Sequence, residues 1–169
     1  ERYEISNYAK AGFECRHNLT YWTGIEYLGF GIGAASLFKG CRFKNSSDIA
    51  AYKEWMSHAK KIFRADAPWW EDVQELSLKE AMEEFMFLGL REIKGISFEK
   101  FKMQFATDIM DVYGDTISRN VKNGLLKFID KDGVSEAGMS EADVAGKNGC
   151  ALTDRGIDVS NVVLAEFLL

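Results

Sequence analysis

The sequence predicts an α+β chain in two parts: a strand-rich stretch over residues 1–46, then a mainly helical, winged-helix-like domain over residues 47–169. Three observations carry this prediction. Glycine and aromatic residues crowd the first part, apolar residues recur at helical spacing from Ser47 onward, and two short apolar runs near the end bracket a polar, glycine-containing stretch. A length of 169 residues fits one domain, or one domain plus part of another, at about 100–200 residues per domain.

In chain order, Tyr3-Glu4-Ile5-Ser6 reads as a short strand and Glu26 to Ala34 as a second, buried one. Alternate glycines at Gly29, Gly31 and Gly33 strip side chains from one face of that second strand, which suits either close packing or a ligand. Asp48 to Met56 is a first helix, with Ile49, Tyr52 and Met56 on one face. Pro68-Trp69-Trp70 interrupts the helical pattern, because proline disfavours helical geometry in the residue before it.

Leu78 to Arg91 carries the strongest pattern, an apolar stripe of Leu78, Ala81, Met82, Phe85, Met86 and Gly89, with Ser77 and Glu80 placed as a capping box. Gly95 separates it from a helix over Phe98 to Tyr113, and Gly114-Asp115 opens another over Thr116 to Gly124. Leu125 to Ile129 and Cys150 to Thr153 are partner strands around a long exposed loop, and Asp158 to Leu169 is a closing helix. The expected core draws on Met82, Phe85, Met86, Phe101, Phe105, Ile109, Val121, Leu125, Val162 and Phe167.

Composition narrows the function. Hydrophobic residues make up 47% and charged residues 28%, an average globular mixture that can bury a core. A net charge of −5 argues against non-specific binding to nucleic acid or anionic lipid. Cys15, Cys41 and Cys150 are odd in number and widely spaced, unlike a secreted disulfide framework, which favours a cytoplasmic location. No membrane span or signal peptide is visible. A start at Glu1 with strand-like residues suggests a C-terminal fragment of a longer polypeptide.

Several motifs point to chemistry and fail on context. Gly29-Phe30-Gly31-Ile32-Gly33-Ala34, with Asp48 downstream, satisfies a dinucleotide pattern, yet no helix opens after the glycines to face a pyrophosphate. Asp130-Lys131-Asp132-Gly133 begins like a calcium loop, but Val134 and Ser135 occupy the fifth and sixth positions. Cys15 and His17 lack a second close pair to complete a tetrahedral metal site. The Met and Phe residues of Leu78 to Leu90 could face a flat porphyrin, although such a stripe is more often core. Arg91, Lys94, Lys100, Lys102, Arg119, Lys122 and Lys127 are interleaved with acids, leaving no one-sided basic stripe for nucleic acid. An interaction module that binds a protein or nucleic acid without chemistry is the alternative reading of a winged-helix-like domain.

Five ordered segments go further. Tyr3 to Lys10, Cys15-Arg16-His17-Asn18-Leu19-Thr20-Tyr21-Trp22, Tyr27 to Ser36, Glu83 to Arg91 with Gly95-Ile96, and Leu152-Thr153 with Gly156 to Asn161 together resemble the oxygen-independent coproporphyrinogen III oxidase-like radical S-adenosylmethionine family, most closely its heme-chaperone branch. The resemblance implies that residues 1–46 are the last strands of a radical S-adenosylmethionine TIM-type barrel and that residues 47–169 are the family's C-terminal domain. It also implies S-adenosylmethionine and a 4Fe-4S cluster in the intact parent, heme or a porphyrinogen as ligand, and a heme-accepting protein as partner. The missing barrel of the same chain would be a further partner. The family's CxxxCxxC cluster motif is not in this chain, so the fragment alone is expected to hold no cofactor and no catalytic residue. By resemblance, Ala9, Gly33, Ala34 and Ala35 line the S-adenosylmethionine pocket; Ala11 and Ala35 stand where many relatives carry proline and a larger residue, respectively.

Overall fold

The computed structural model describes residues 1–58, 70–130 and 147–169. These form two compact units: residues 1–24 with 78–169, and residues 25–77. The division differs from the boundary after residue 46 that the sequence suggests, because the first residues pack with the C-terminal helices while the early strands form a unit with the helix that follows them.

In the larger unit, α1 (Arg16–Trp22) precedes α3 (Leu78–Gly89), β4 (Ile96–Ser97), α4 (Phe98–Phe105), α5 (Ile109–Lys122), β5 (Leu126–Ile129), β6 (Gly149–Leu152), α6 (Asp154–Asp158) and α7 (Ser160–Ala165). The strands make one antiparallel sheet in the order β4-β6-β5, with Ile96 opposite Cys150 and Leu126 opposite Leu152. From α3 onward, the order helix, strand, helix, helix, strand, strand with the first strand beside the last is a winged-helix arrangement. The long loop expected between the last two strands falls at residues 131–146, outside the described residues.

Its core is apolar and continuous. Met86, Leu90, Phe101, Ile109, Tyr113, Ile117, Leu126, Val163, Leu164 and Phe167 are buried, and Phe85, Phe105 and Leu125 pack against them. Phe101 meets Phe105, Phe85 and Tyr113 at centroid distances of 4.7, 5.3 and 6.1 Å. Val162, expected in this core, is 63% exposed. The reason is a break at Val159 that separates α6 from α7 and turns Val163 and Leu164 inward instead.

The helix break expected at Gly114 lies earlier. Ala106 takes a left-handed conformation (φ 55°) that ends α4, and the Asp108 carboxylate accepts the Met110 N–H to start α5, so Gly114 sits inside a continuous helix. Tyr3–Ser6 is likewise not a strand of a sheet. Arg2 bridges Tyr8 and Glu4 bridges Glu92, making a small hairpin attached to the residues after α3.

The smaller unit holds β1 (Ala35–Phe38), β2 (Cys41–Asn45), α2 (Ile49–His58) and β3 (Trp70–Glu75), with the strands antiparallel in the order β1-β2-β3. Lys39 (φ 50°) and Gly40 (φ 72°) form the two-residue turn between β1 and β2, a geometry matched to strand twist. Residues 26–34 are not the buried strand that their glycine alternation suggests. Gly31 (φ 104°) and Gly33 (φ 65°) turn the chain, Phe30 is 86% exposed, and pairing begins only at Ala35 apart from a bridge of Tyr27 to Leu37. Ile49 and Met56 on α2 are exposed rather than packed.

Candidate functional site

Two places carry the residues that the sequence singles out. In the smaller unit, the glycine loop is held by the buried side chains of Asn45 and Ser36 and by half-buried Tyr52. Asn45 is buried on β2, and its Nδ2 donates to the carbonyls of Gly29 at 3.0 Å and Gly31 at 2.9 Å, while its own N–H donates to Ala34 O at 2.9 Å. Ser36 Oγ accepts the Gly29 N–H at 3.0 Å, and the Tyr52 hydroxyl accepts the Gly31 N–H at 3.0 Å. Gly33 donates to Ser46 O at 3.2 Å. Gly33, Ala34 and Ala35 therefore stand side by side on a braced edge, with Ala35 exposed at the head of β1 and Ile32 exposed before it.

The bracing explains part of the glycine pattern without a ligand. A β-carbon on Gly29 would lie 2.3 Å from the Ala35 carbonyl oxygen, so the chain's own backbone fills that space. Gly33 is different: its positive φ is demanding, but a β-carbon there would meet only Ser47 Oγ at 3.4 Å. That leaves small, exposed residues at Gly33 and Ala35 that another group can approach closely, while half-buried Ala34 between them faces Gly29.

Ala9 belongs to the larger unit. It closes the N-terminal hairpin, donating its N–H to Glu1 O at 2.9 Å. At the hairpin's tip Glu4 is 0% exposed, and its Oε1 accepts from the Ser6 N–H at 2.9 Å and Asn7 Nδ2 at 2.6 Å. Its Oε2 faces Arg91 Nη2 at 3.5 Å. The Arg91 guanidinium lies over the Trp22 ring with 4.3 Å to the centroid, a cation–π arrangement. Backbone bonds run alongside, from Ile5 N–H to Arg91 O at 3.0 Å and from Ile93 N–H to Tyr3 O at 3.1 Å. Sequence reasoning leaves out Glu4, Trp22 and Arg91 as a group, although each lies in one of the ordered motifs. The nearby Glu92 carboxyl sits above the usual carboxylate range, mainly because it is partly removed from water.

The thiols do not fit an iron–sulfur cluster, which needs several cysteine thiolates converging on it. Cys15 is exposed, Cys41 lies half-buried in the other unit, and Cys150 is fully buried with its thiol pushed up to about 12 by that burial. Among the described residues, no three His, Cys, Asp or Glu side chains gather as metal ligands. His17 instead meets the Tyr21 hydroxyl at 3.1 Å, one helical turn away on α1. Met82 and Met86 of α3 are buried and Phe85 is edge-on to Phe101, so these three are core rather than a porphyrin face, whereas Phe87 and Leu78 are exposed. On α5, the exposed acids Asp111 and Asp115 precede the exposed bases Arg119 and Lys122, and Arg119 pairs with Glu166 at 2.7 Å. That surface offers no basic stripe to a phosphate backbone. No helix among the described residues is long and apolar enough to cross a membrane.

Comparison with known proteins places the whole chain. Residues 76–132 match the model of the HemN C-terminal domain. The heme chaperone HemW of Lactococcus lactis is 33% identical over 167 residues, covering 99% of this chain and 37% of that protein. The heme chaperone HemW of Bacillus subtilis is 36% identical over 125 residues, covering 74% of this chain and 31% of that protein. This chain thus spans about a third of the length of these relatives. Among solved structures, coproporphyrinogen III oxidase HemN from Escherichia coli, described as a radical SAM enzyme, superposes with a TM-score of 0.53 at 16% identity, over 85% of this chain and 28% of that one. The ordered motifs and these relatives agree along the chain, and it belongs to the family of HemW and of the HemN C-terminal domain.

Proposed function

We propose that this chain is the C-terminal part of a longer, cytoplasmic radical S-adenosylmethionine protein that binds heme in the manner of a heme chaperone and passes it to an accepting protein. The observation that carries the reading is the 33% identity to a heme chaperone over 99% of the chain, which includes all five ordered motifs. In this reading the cluster thiolates come from the rest of the protein, where the cluster's open iron holds S-adenosylmethionine. The 169-residue chain alone is inactive and carries no cluster.

Ala9, Gly33, Ala34 and Ala35 would then line the S-adenosylmethionine pocket. Their support is the resemblance together with the exposure of the small residues Gly33 and Ala35. Small residues there admit the cofactor against the backbone, and their contribution is shape and water exclusion rather than proton transfer.

The test uses the full-length protein, reconstituted anaerobically. Stoichiometric binding of S-adenosylmethionine and a saturable heme Soret band are expected. Ala35→Trp should weaken S-adenosylmethionine binding by about tenfold or more while leaving the melting temperature of the protein nearly unchanged. Absence of S-adenosylmethionine binding would overturn the reading, and turnover of coproporphyrinogen without heme binding would overturn its chaperone part.

A further inference from the structure

We propose that Glu4 and Arg91 are positioning residues for Ala9: their pair, with Glu4 buried and Arg91 half-buried, fastens the Glu1–Ala9 hairpin to the segment after α3, so that the C-terminal domain sets where Ala9 stands. The inference rests on the reading of Ala9 as a cofactor-lining residue.

The two oxygens of Glu4 have separate tasks. Oε1 shapes the hairpin tip by accepting from the Ser6 N–H and Asn7 Nδ2, and Oε2 ties that tip to Arg91 at 3.5 Å. With Glu4 at 0% exposure, its charge is compensated by these groups rather than by water. Arg91 is fixed in turn by lying on Trp22 at 4.3 Å and by its carbonyl, which accepts the Ile5 N–H at 3.0 Å. From Glu4 to Ala9 the hairpin is bonded rung by rung. Tyr3 N–H donates to Asn7 O at 3.2 Å, the Arg2 guanidinium donates to the Tyr8 hydroxyl, and Ala9 N–H donates to Glu1 O at 2.9 Å.

An apolar tip would hold the hairpin by burial alone and tolerate sliding, because the hydrophobic effect is non-directional. A buried carboxylate with three directional partners around it does not. A buried ion pair is weak evidence of added stability, and fixing register is the role proposed for this one. Displacement of the tip therefore moves Ala9 as part of the same bonded ladder, and this couples an arginine at the end of a core helix to a cofactor-facing alanine 82 positions earlier in the chain.

The experiment is run on the reconstituted full-length protein well below the melting temperature of every variant. Binding of S-adenosylmethionine is measured by equilibrium dialysis, and exchange of the Ile5 and Ile93 amides by mass spectrometry. Glu4→Gln and Arg91→Met should each raise the Kd for S-adenosylmethionine about fivefold or more, within the usual range of coupling between sites. Both amides should exchange faster. The double variant should do little more than either single one, because the two residues act as a pair. Arg91→Lys keeps the charge and should recover part of the affinity, and Lys100→Ala should change nothing. Folded variants that bind S-adenosylmethionine within twofold of the parent would overturn the positioning role, even where the melting temperature falls. A parent protein that binds no S-adenosylmethionine at all would instead overturn the functional reading beneath it, and this inference with it.

Discussion

The two units are held together by different means. Residues 78–169 close around a continuous apolar core in which Phe101, Ile109, Ile117, Leu126 and Val163 are fully buried. Residues 25–77 bury only Leu37 and Phe43 among their described apolar side chains, and beside these lie Asn45 and Ser36, whose side chains bond the backbone of the glycine loop, and Ser46, whose carbonyl accepts the Gly33 N–H. A core of side-chain packing tolerates variation in surface loops. A core of side-chain-to-backbone hydrogen bonds instead fixes the path of one loop, and the loop it fixes bears three of the four residues proposed to face the cofactor.

The largest expected effect tests the first half of this contrast. Phe101→Ala removes a ring that touches Phe85, Phe105 and Tyr113 and should destabilise the larger unit by about 3–5 kcal/mol, measured by urea denaturation followed by circular dichroism. Asn45→Ala addresses the second half. It leaves the Gly29 and Gly31 carbonyls without their buried donor and should cost about 1–3 kcal/mol, with faster amide exchange confined to residues 25–77. If Asn45→Ala accelerates exchange in α5 as much as in the loop, the two units do not differ in the way described.

Alkaline pH sharpens the comparison through the packed core. Burial pushes the Cys150 thiol and the Tyr113 hydroxyl each up to about 12. In the unfolded chain these groups ionise near about 8.5 and about 10. A raised folded value means that the protonated form is favoured in the native state, so this stability is intact below the unfolded values and is lost as the pH rises toward 12. Denaturation midpoints should therefore fall progressively above about pH 8.5. An Ellman-type reagent should label exposed Cys15 at once and Cys150 only on unfolding. Cys150 labelled at the rate of Cys15 in the native protein would contradict the packing. The smallest effect is Lys102→Ala, an exposed residue 3.7 Å from Asp108, which should change stability by under about 0.5 kcal/mol.

Periodicity makes α3 and the β5–β6 pair legible, because each follows from which residues must face a core, and it also finds α2, although Ile49 and Met56 on the expected inner face of that helix are exposed. It misplaced the break between α4 and α5, since Phe101, Phe105, Ile109 and Val112 keep helical spacing across Ala106 and the backbone turn there leaves no gap in the apolar pattern. The cap signal at Asp108 was available and marks the true start of α5. Glycine alternation suggested a strand over residues 26–34, where positive φ at Gly31 and Gly33 produces a turn instead. The two-residue strand β4 was too short to show any alternation. At the candidate site, Ala9 and Gly33 to Ala35 came from resemblance alone, because small side chains carry no chemical signature. The Glu4–Arg91 pair was invisible for another reason: its members are 87 residues apart, and a charge does not announce its partner.

That separation has a topological meaning. Residues 25–77 enter and leave between two pieces of a single packed unit, so they form an insertion in it, and the contacts of Tyr3 and Ile5 with Ile93 and Arg91 shut the loop that contains the insertion. The entropic cost of shutting such a loop rises only with the logarithm of its length, about 0.6 kcal/mol for each doubling. Lengthening the insertion at the Lys39–Gly40 turn should thus leave the winged-helix unit nearly as stable as before, while refolding of the Glu1–Ala9 hairpin waits for the chain ends of the loop to find each other. The hairpin is accordingly expected to form late in assembly, with amides protected after those of α5 in pulse-labelled hydrogen exchange.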